Sequence, residues 1–322
     1  MIVSLLLLAQ SLYEEDPFAT RKRREENWRE MQRAAQAMDA NRGLLRQRLG
    51  YPPPLAKVAP APPKCERMGE DRIATYERCT IAVAPGLELY GLYLVPRGLK
   101  GRAPLVISTH GGGGFPEMAL FRNGSNYRDM IRGAAREGYV VWAPLLVQYP
   151  FGDRDRGTAI PATVRKDLDA QFRAAGTSLM GVEVAKIARS LDSLALRAEP
   201  DMSRVAMIGL SYGGFTTLYT AALEPRIRVA VASCSFDDRE AAPGTPESGP
   251  PRELRWSDVA KLIAPRPLQV QSGVADKLLP IESARAAAAK VGTPGFEFVE
   301  FDGGHEFNGD LCWRFLRKHL AR

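Results

Sequence analysis

The sequence predicts an α/β protein: a mostly parallel central sheet of about eight strands with helices on both faces, plus an N-terminal helical arm. Three observations carry that expectation. From Leu105 onward, short continuous apolar runs alternate with segments of helical periodicity, as buried parallel strands and their crossover helices require. No internal repeat interrupts the alternation. The first 66 residues differ in composition, a charged helical stretch being followed by a proline-rich one.

Taken in order, Met1 to Gln10 resembles the apolar core and end of a secretory signal, without a basic start or a clean small-x-small cleavage site. Residues 1–11 are read as a partial signal peptide. This predicts export to the periplasm or the medium, with a cytoplasmic location as the alternative. Trp28, Met31, Ala34, Ala35 and Met38 recur at three-and-four spacing and predict an amphipathic helix over residues 20–49. Residues 50–64 hold six prolines and predict a stiff connector, so residues 12–66 are an arm and 67–322 the main domain. Thr80–Val83 and Glu88–Val95, split by Pro85-Gly86, predict an antiparallel pair. The parallel strands are expected at Leu105–Ser108, Tyr139–Ala143, Arg204–Ile208, Arg228–Ser233, Pro267–Gln271 and Glu297–Phe301. Helical patterns fall near 125–137, 181–197, 213–223, 257–263, 282–291 and 308–320.

Composition excludes several classes. With 322 residues, 45% hydrophobic and 25% charged, the chain has an ordinary globular balance. The net charge of +7 is diffuse, so no nucleic-acid partner is expected. The apolar stretch Ile2–Ala9 is far short of the roughly 20 residues a membrane-spanning helix needs, so no membrane partner is expected either. Of the cysteines Cys65, Cys79, Cys234 and Cys312, only the first two are near enough in sequence for a local bridge, with buried thiols as the alternative. The three histidines are remote from one another and the cysteine spacing does not suit zinc, so no metal or cofactor is expected.

In parallel sheets, chemistry gathers in the loops beyond the carboxyl ends of the strands. After Val205–Ile208 comes Gly209-Leu210-Ser211-Tyr212-Gly213-Gly214 and then a helical stretch, which is the G-x-S-x-G nucleophile elbow in its strand-turn-helix setting. A serine hydroxyl is a poor nucleophile at neutral pH and needs a base. His305, in Asp302-Gly303-Gly304-His305-Glu306 after the last strand, is the candidate; His110 opens a glycine run and His319 lies near the end of the last helix. The acid that orients the imidazole is expected at Asp276, after the next-to-last strand, with Asp237 or Asp238 and then Asp302 as rivals. The run Gly111 to Gly114 lets backbone N–H groups face a cavity, so an oxyanion hole is expected from the amides of Tyr212 and Gly112, Gly113 being the next choice. Two irregular loops on the same side, Gln148–Ala162 with Tyr149, Phe151, Arg154 and Arg156, and Phe236–Trp256, are the candidate substrate-binding segments.

These residues resemble the α/β-hydrolase superfamily over about Thr80 to Leu320. Gly209 to Gly214, Ala264 to Gly273 and Phe301 to Phe307 look like its dienelactone-hydrolase-like and acetyl-xylan-esterase-like branch. The arm from Trp28 to Tyr51 is similar to one found in a poorly characterised bacterial group of that branch. The resemblance implies an α/β-hydrolase fold, a serine ester hydrolase, and Ser211, Asp276 and His305 as its triad. It implies a small-molecule or carbohydrate ester as substrate, with carbohydrate acetyl esters one option. Dienelactone hydrolase itself has a cysteine where this chain has Ser211, which argues against that activity. Two alternatives stay open: a small-substrate amidase or peptidase related to prolyl oligopeptidases, and a non-catalytic binding protein on the same fold.

Overall fold

The computed structural model describes residues 25–26, 28–29, 40–121, 125–147, 164–238 and 254–321. The chain divides into two units, Met1–Gly43 and Leu44–Arg322. In the first, the described residues Glu25, Glu26, Trp28, Arg29 and 40–43 are helical; Met31, Ala34, Ala35 and Met38 lie outside the described residues.

The second unit is built on a nine-stranded sheet, one strand more than expected. Its strands are β1 (Lys64–Glu70), β2 (Ala74–Ala84), β3 (Leu87–Pro96), β4 (Ala103–Thr109), β5 (Val140–Pro144), β6 (Pro200–Leu210), β7 (Ile227–Ser233), β8 (Leu268–Gly273) and β9 (Phe296–Phe301). Their order is β1-β2-β3-β5-β4-β6-β7-β8-β9. The first three pair antiparallel, as does β3 with β5, and every pair from β5 to β9 is parallel. Strand β5 is buried throughout, and β4 nearly so, which is why each reads as an unbroken apolar run.

The helices are α1 (residues 40–49), α2 (Pro116–Phe121), α3 (Met130–Arg136), α4 (Val164–Ala174), α5 (Leu179–Leu194), α6 (Tyr212–Leu223), α7 (Trp256–Lys261), α8 (Ile281–Ala288) and α9 (Gly309–Leu320). Ala119 and Leu120 of α2, Met130, Ile131 and Ala134 of α3, and Phe315 and Leu316 of α9 form one core with Val106, Val141, Ile208 and Val231 of the sheet. Among the described residues no helix is long and apolar enough to cross a membrane.

Strand β1 falls where the sequence reading has a proline-rich boundary. Its side chains are mostly exposed, so it carries no apolar alternation to betray it. It is held as an edge strand by pairing, Cys65 standing directly opposite Cys79, and the two are joined in a disulfide. Helix α4 is a further element outside the expected set: five of the eleven residues of Val164–Ala174 are charged, and its larger apolar residues are only Val164, Leu168 and Phe172, at four-residue spacing. The connector after α1 does not run loose: Ser178 Oγ donates to Leu49 O at 2.7 Å, and the Arg189 guanidinium donates to Leu55 O, Ala56 O and Val83 O.

Chain direction across the sheet decides where a site can form. From β4 the chain moves to β5 on one side, then returns to β6 on the other side of β4 and continues outward to β9. The loops leaving β4 and β6 therefore diverge from neighbouring strands at the reversal point, where open α/β sheets have their crevice.

Candidate active site

Ser211 sits between β6 and α6 with φ 57° and ψ −118°, a conformation that L-residues rarely hold. The flanking glycines are sterically required: a Cβ at Gly209 would lie 2.3 Å from Gly213 O, and one at Gly213 would lie 2.2 Å from Thr109 O. The turn is fixed from three sides. Ser211 N donates to Ser233 O at 2.8 Å, Phe215 N donates to Ser211 O at 2.9 Å, and Thr109 Oγ1 lies 3.0 Å from both Ile208 O and Gly213 O. The side chain is thereby held at the helix N-terminus, half-buried, at the sheet's carboxyl edge.

His305 and Asp276 meet directly. The imidazole Nδ1–H donates to Asp276 Oδ2 at 2.8 Å, and the other carboxylate oxygen accepts from Leu278 N at 2.8 Å and Leu279 N at 3.1 Å. Burial of Asp276 raises its pKa, but the His305 bond and the two amides outweigh it and hold the carboxyl below its ordinary range. Two of the rivals are engaged elsewhere and the third faces solvent. Asp237 accepts from Ser283 Oγ, Asp238 pairs with Lys290 and Arg255, and Asp302 is exposed. Among the described residues no hydrogen bond joins Ser211 Oγ to His305; in sites without substrate such bonds are often long. What links the elbow to the acid–base pair is the end of β7: Ser233 O receives the Ser211 amide, and the next residue, Cys234, has its sulfur within 4.8 Å of ligand atoms of both Asp276 and His305.

The glycine run packs against the elbow. A Cβ at Gly111 would lie 3.4 Å from Ser211 Cβ, and one at Gly112 would have Tyr212 Cβ as its nearest neighbour at 3.9 Å. The Gly111 amide is taken by Tyr127 Oη at 3.0 Å. His110 is fully enclosed. Its Nε2 accepts from Leu146 N at 3.0 Å, so the ring proton is on Nδ1, facing Gly111 O at 3.0 Å. Burial is the main cause that drives its pKa down to about 4, so this imidazole is a neutral brace for the loop at physiological pH. His319 packs on the Phe315 ring, 4.5 Å between centroids.

Sequence reasoning missed Cys234. It has φ 46°, is buried, and its thiol lies 3.4 Å from Glu306 O and 3.7 Å from Gly304 O; burial is the main cause raising its pKa to about 12, which keeps it protonated as a donor. Its place just beyond a parallel strand was the one available signal. Among the described residues, two clusters have donor atoms close enough together for a cation, Cys65/Glu77/Cys79 and Cys234/Asp276/His305. In the first the sulfurs are consumed by the disulfide, and in the second the carboxylate and imidazole are bonded to each other. Tyr149, Phe151, Arg154 and Arg156 lie outside the described residues, as does most of Phe236–Trp256.

No family model matches the chain. It is 27% identical over 208 residues to a Bacillus subtilis (strain 168) protein named "Putative hydrolase YtaP", a match spanning 59% of this chain and 66% of that one. Among solved structures, Methylesterase BT1017 matches with TM-score 0.66 and 21% identity, covering 87% of this chain and 63% of that one. An acetyl xylan esterase from Paenibacillus sp. R4 matches with TM-score 0.57 and 18% identity, covering 86% and 99%. The chain thus spans less than two thirds of the length of the methylesterase, and about two thirds of the curated relative. The nine-stranded, mostly parallel sheet with flanking helices is an α/β-hydrolase fold.

Proposed function

We propose that the chain is a serine hydrolase that cleaves carboxylic esters through an acyl-enzyme. The observation that carries this reading is the His305 Nδ1 to Asp276 Oδ2 bond of 2.8 Å beyond β8 and β9, on the same sheet edge as the strained Ser211 turn. In this mechanism Ser211 Oγ attacks the ester carbonyl carbon while His305 Nε2 takes its proton. Asp276 holds the proton on Nδ1 and stabilises the imidazolium. The tetrahedral oxyanion is received by the amides of Tyr212 and Gly112. His305 then returns the proton to the leaving alcohol, and water, activated by the same imidazole, hydrolyses the acyl-Ser211 ester.

Residues 67–322 are the catalytic domain in this reading and residues 12–66 its arm. The substrate is a small-molecule or carbohydrate ester; the methylesterase and acetyl xylan esterase among the structural relatives support that class. Export is supported by the Cys65–Cys79 disulfide, since such bridges persist in oxidising compartments. The test is a hydrolysis panel on purified protein: acyl esters of increasing chain length, acetylated sugars, methyl esters and matched amides, run in parallel with Ser211→Ala. Ester turnover that disappears in the variant is the expected result. Amide turnover above ester turnover would move the reading to an amidase, and specific ligand binding without turnover would move it to a binding protein.

A further inference from the structure

We propose that residues 126–129 form a crosspiece that sets the glycine loop and the His305 loop relative to each other, with Tyr127 and Asn126 as its positioning residues. This inference rests on the esterase reading above. The segment sits just before α3, and none of its atoms belongs to the triad. Its bonds reach in two directions. Tyr127, buried, accepts the Gly111 amide proton on Oη at 3.0 Å. Asn126 Nδ2 donates to the carbonyl of His305 itself at 3.2 Å, Asn126 O accepts from Phe307 N at 2.8 Å, and Arg128 Nε donates to Glu306 Oε2 at 2.8 Å. A turn that served only to start α3 would satisfy its groups locally. Here three consecutive side chains reach groups 16 and about 180 positions away in sequence.

Two further observations mark the segment as shaped for this task. Arg128 and Asp129 hold φ 49° and φ 59°, two successive non-glycine residues in a left-handed conformation that persists only when surrounding contacts impose it. The Tyr127 hydroxyl also fills the inside of the Gly111–Gly114 turn, which is closed by Gly114 N donating to Gly111 O at 3.1 Å. A Cβ at Gly114 would stand 2.0 Å from that hydroxyl and 3.0 Å from Tyr127 Cζ. Glycine at 114 and tyrosine at 127 are therefore one fitted pair. The physical consequence follows from how oxyanion donors work: they contribute in proportion to how firmly they are aimed before charge develops. With Gly111 N pinned on Tyr127, the His110–Gly111 peptide is held in one orientation. The next peptide, which carries the Gly112 N–H, is held through Gly111 O by Gly114 N at 3.1 Å and His110 Nδ1 at 3.0 Å, and the Gly112 amide is thereby fixed beside Tyr212.

The test uses the full chain. In Tyr127→Phe, turnover of the best ester is expected to fall about 10- to 100-fold, somewhat less than deletion of one donor, with KM within about threefold. The acid limb of the pH–rate profile stays in place, because His305 and its tethers are untouched. Asn126→Ala is expected to do the converse, displacing that acid limb, because it releases the His305 carbonyl. Gly114→Ala should cost less in the Tyr127→Phe background than in wild type, since the closest atom has been removed. Amide hydrogen exchange at Gly111 should quicken at least tenfold in Tyr127→Phe, as its acceptor is lost. A folded Tyr127→Phe protein with turnover within twofold of wild type, or with unchanged exchange at Gly111, overturns the proposal. If Tyr127→Phe does not fold, an unmoved acid limb in Asn126→Ala overturns it. If wild type hydrolyses no ester, the functional reading fails by itself, and the exchange measurement still decides the tether.

Discussion

At the amino ends of β6, β7 and β8, three arginines finish the molecule in relaxed geometry. Arg266 donates to Ala221 O, Glu224 O and Ile227 O, Arg226 to Ala188 O, and Arg204 to Leu320 O. Each supplies a cation to a carbonyl in or just beyond a helix, and Arg266 also reaches the first carbonyl of β7, so charge and hydrogen bonding act together there. The carboxyl ends are built on opposite terms. The positive-φ non-glycine residues among those described, Arg128, Asp129, Ser211 and Cys234, all lie there or bind loops that do. Such conformations cost on the order of 1–3 kcal/mol each, and they persist because a rigid sheet and capped helices behind them leave no alternative. Under the proposed function, stability and reactivity occupy opposite edges of one sheet, so that substitutions at either edge should move different observables.

The sharpest way to break that contrast is Ser211→Ala, expected to lower turnover by about 10⁶. Ser211→Gly should be as inactive and yet raise unfolding free energy by about 1 kcal/mol, because glycine accepts φ 57° without strain. Loss of stability in Ser211→Gly by urea titration would mean the turn is not strained. Next, Asp276→Asn should cost about 10⁴ in turnover through the wrong imidazole tautomer. Near-silence there, with Asp237→Asn or Asp238→Asn inactive, would reassign the acid. Gly112→Val should cost about 10² by displacing one donor. A Cβ at Gly112 meets nothing closer than 3.9 Å, so Gly112→Ala should stay folded, and a stable Gly112→Val protein that loses turnover reports on aim and not on folding.

A fourth expectation concerns pH. His110 is neutral in the folded protein down to about pH 4, whereas the unfolded chain takes up that proton near 6.5. The unfolded state therefore binds the extra proton in this window. Stability is fully present above about 6.5 and declines as the pH falls toward 4, by on the order of 3 kcal/mol. Denaturant titrations at pH 7 and 4.5 check it, and His110→Gln should flatten the difference. The smallest effect on turnover is expected at the relaxed edge. Arg266→Ala should lose about 2–3 kcal/mol of stability, from stranded carbonyls, while turnover per folded molecule stays within about threefold. A large kinetic loss there would erase the division between the two edges.

Much of this architecture was legible because burial on both faces writes itself into sequence. Val140 to Pro144 is buried residue by residue, and the run reads as a strand with no help from its neighbours. The elbow was legible for steric reasons, since only glycine can flank Ser211 at 209 and 213. Lys64–Glu70 was not legible, because an exposed edge strand is selected by its partner and its disulfide instead of by apolar alternation. Nor were Cys234, Asn126 and Tyr127. Their importance comes from contacts about 70, 179 and 16 residues away, and a long-range hydrogen bond leaves no local pattern. The choice of Asp276 over Asp237 rested on loop position and on the family resemblance, and the 2.8 Å bond from His305 Nδ1 to Asp276 adds a geometric reason.

In the proposed mechanism Ser211 is a nucleophile made reactive by the His305–Asp276 pair. A fluorophosphonate, which forms a stable covalent bond only with an activated serine, tests it directly by intact mass and peptide mapping. One adduct per chain is expected, on the peptide containing Ser211, absent in Ser211→Ala and formed more than about 100-fold more slowly in Asp276→Asn. An adduct on another residue, or none in a wild-type protein that hydrolyses esters, would contradict the account.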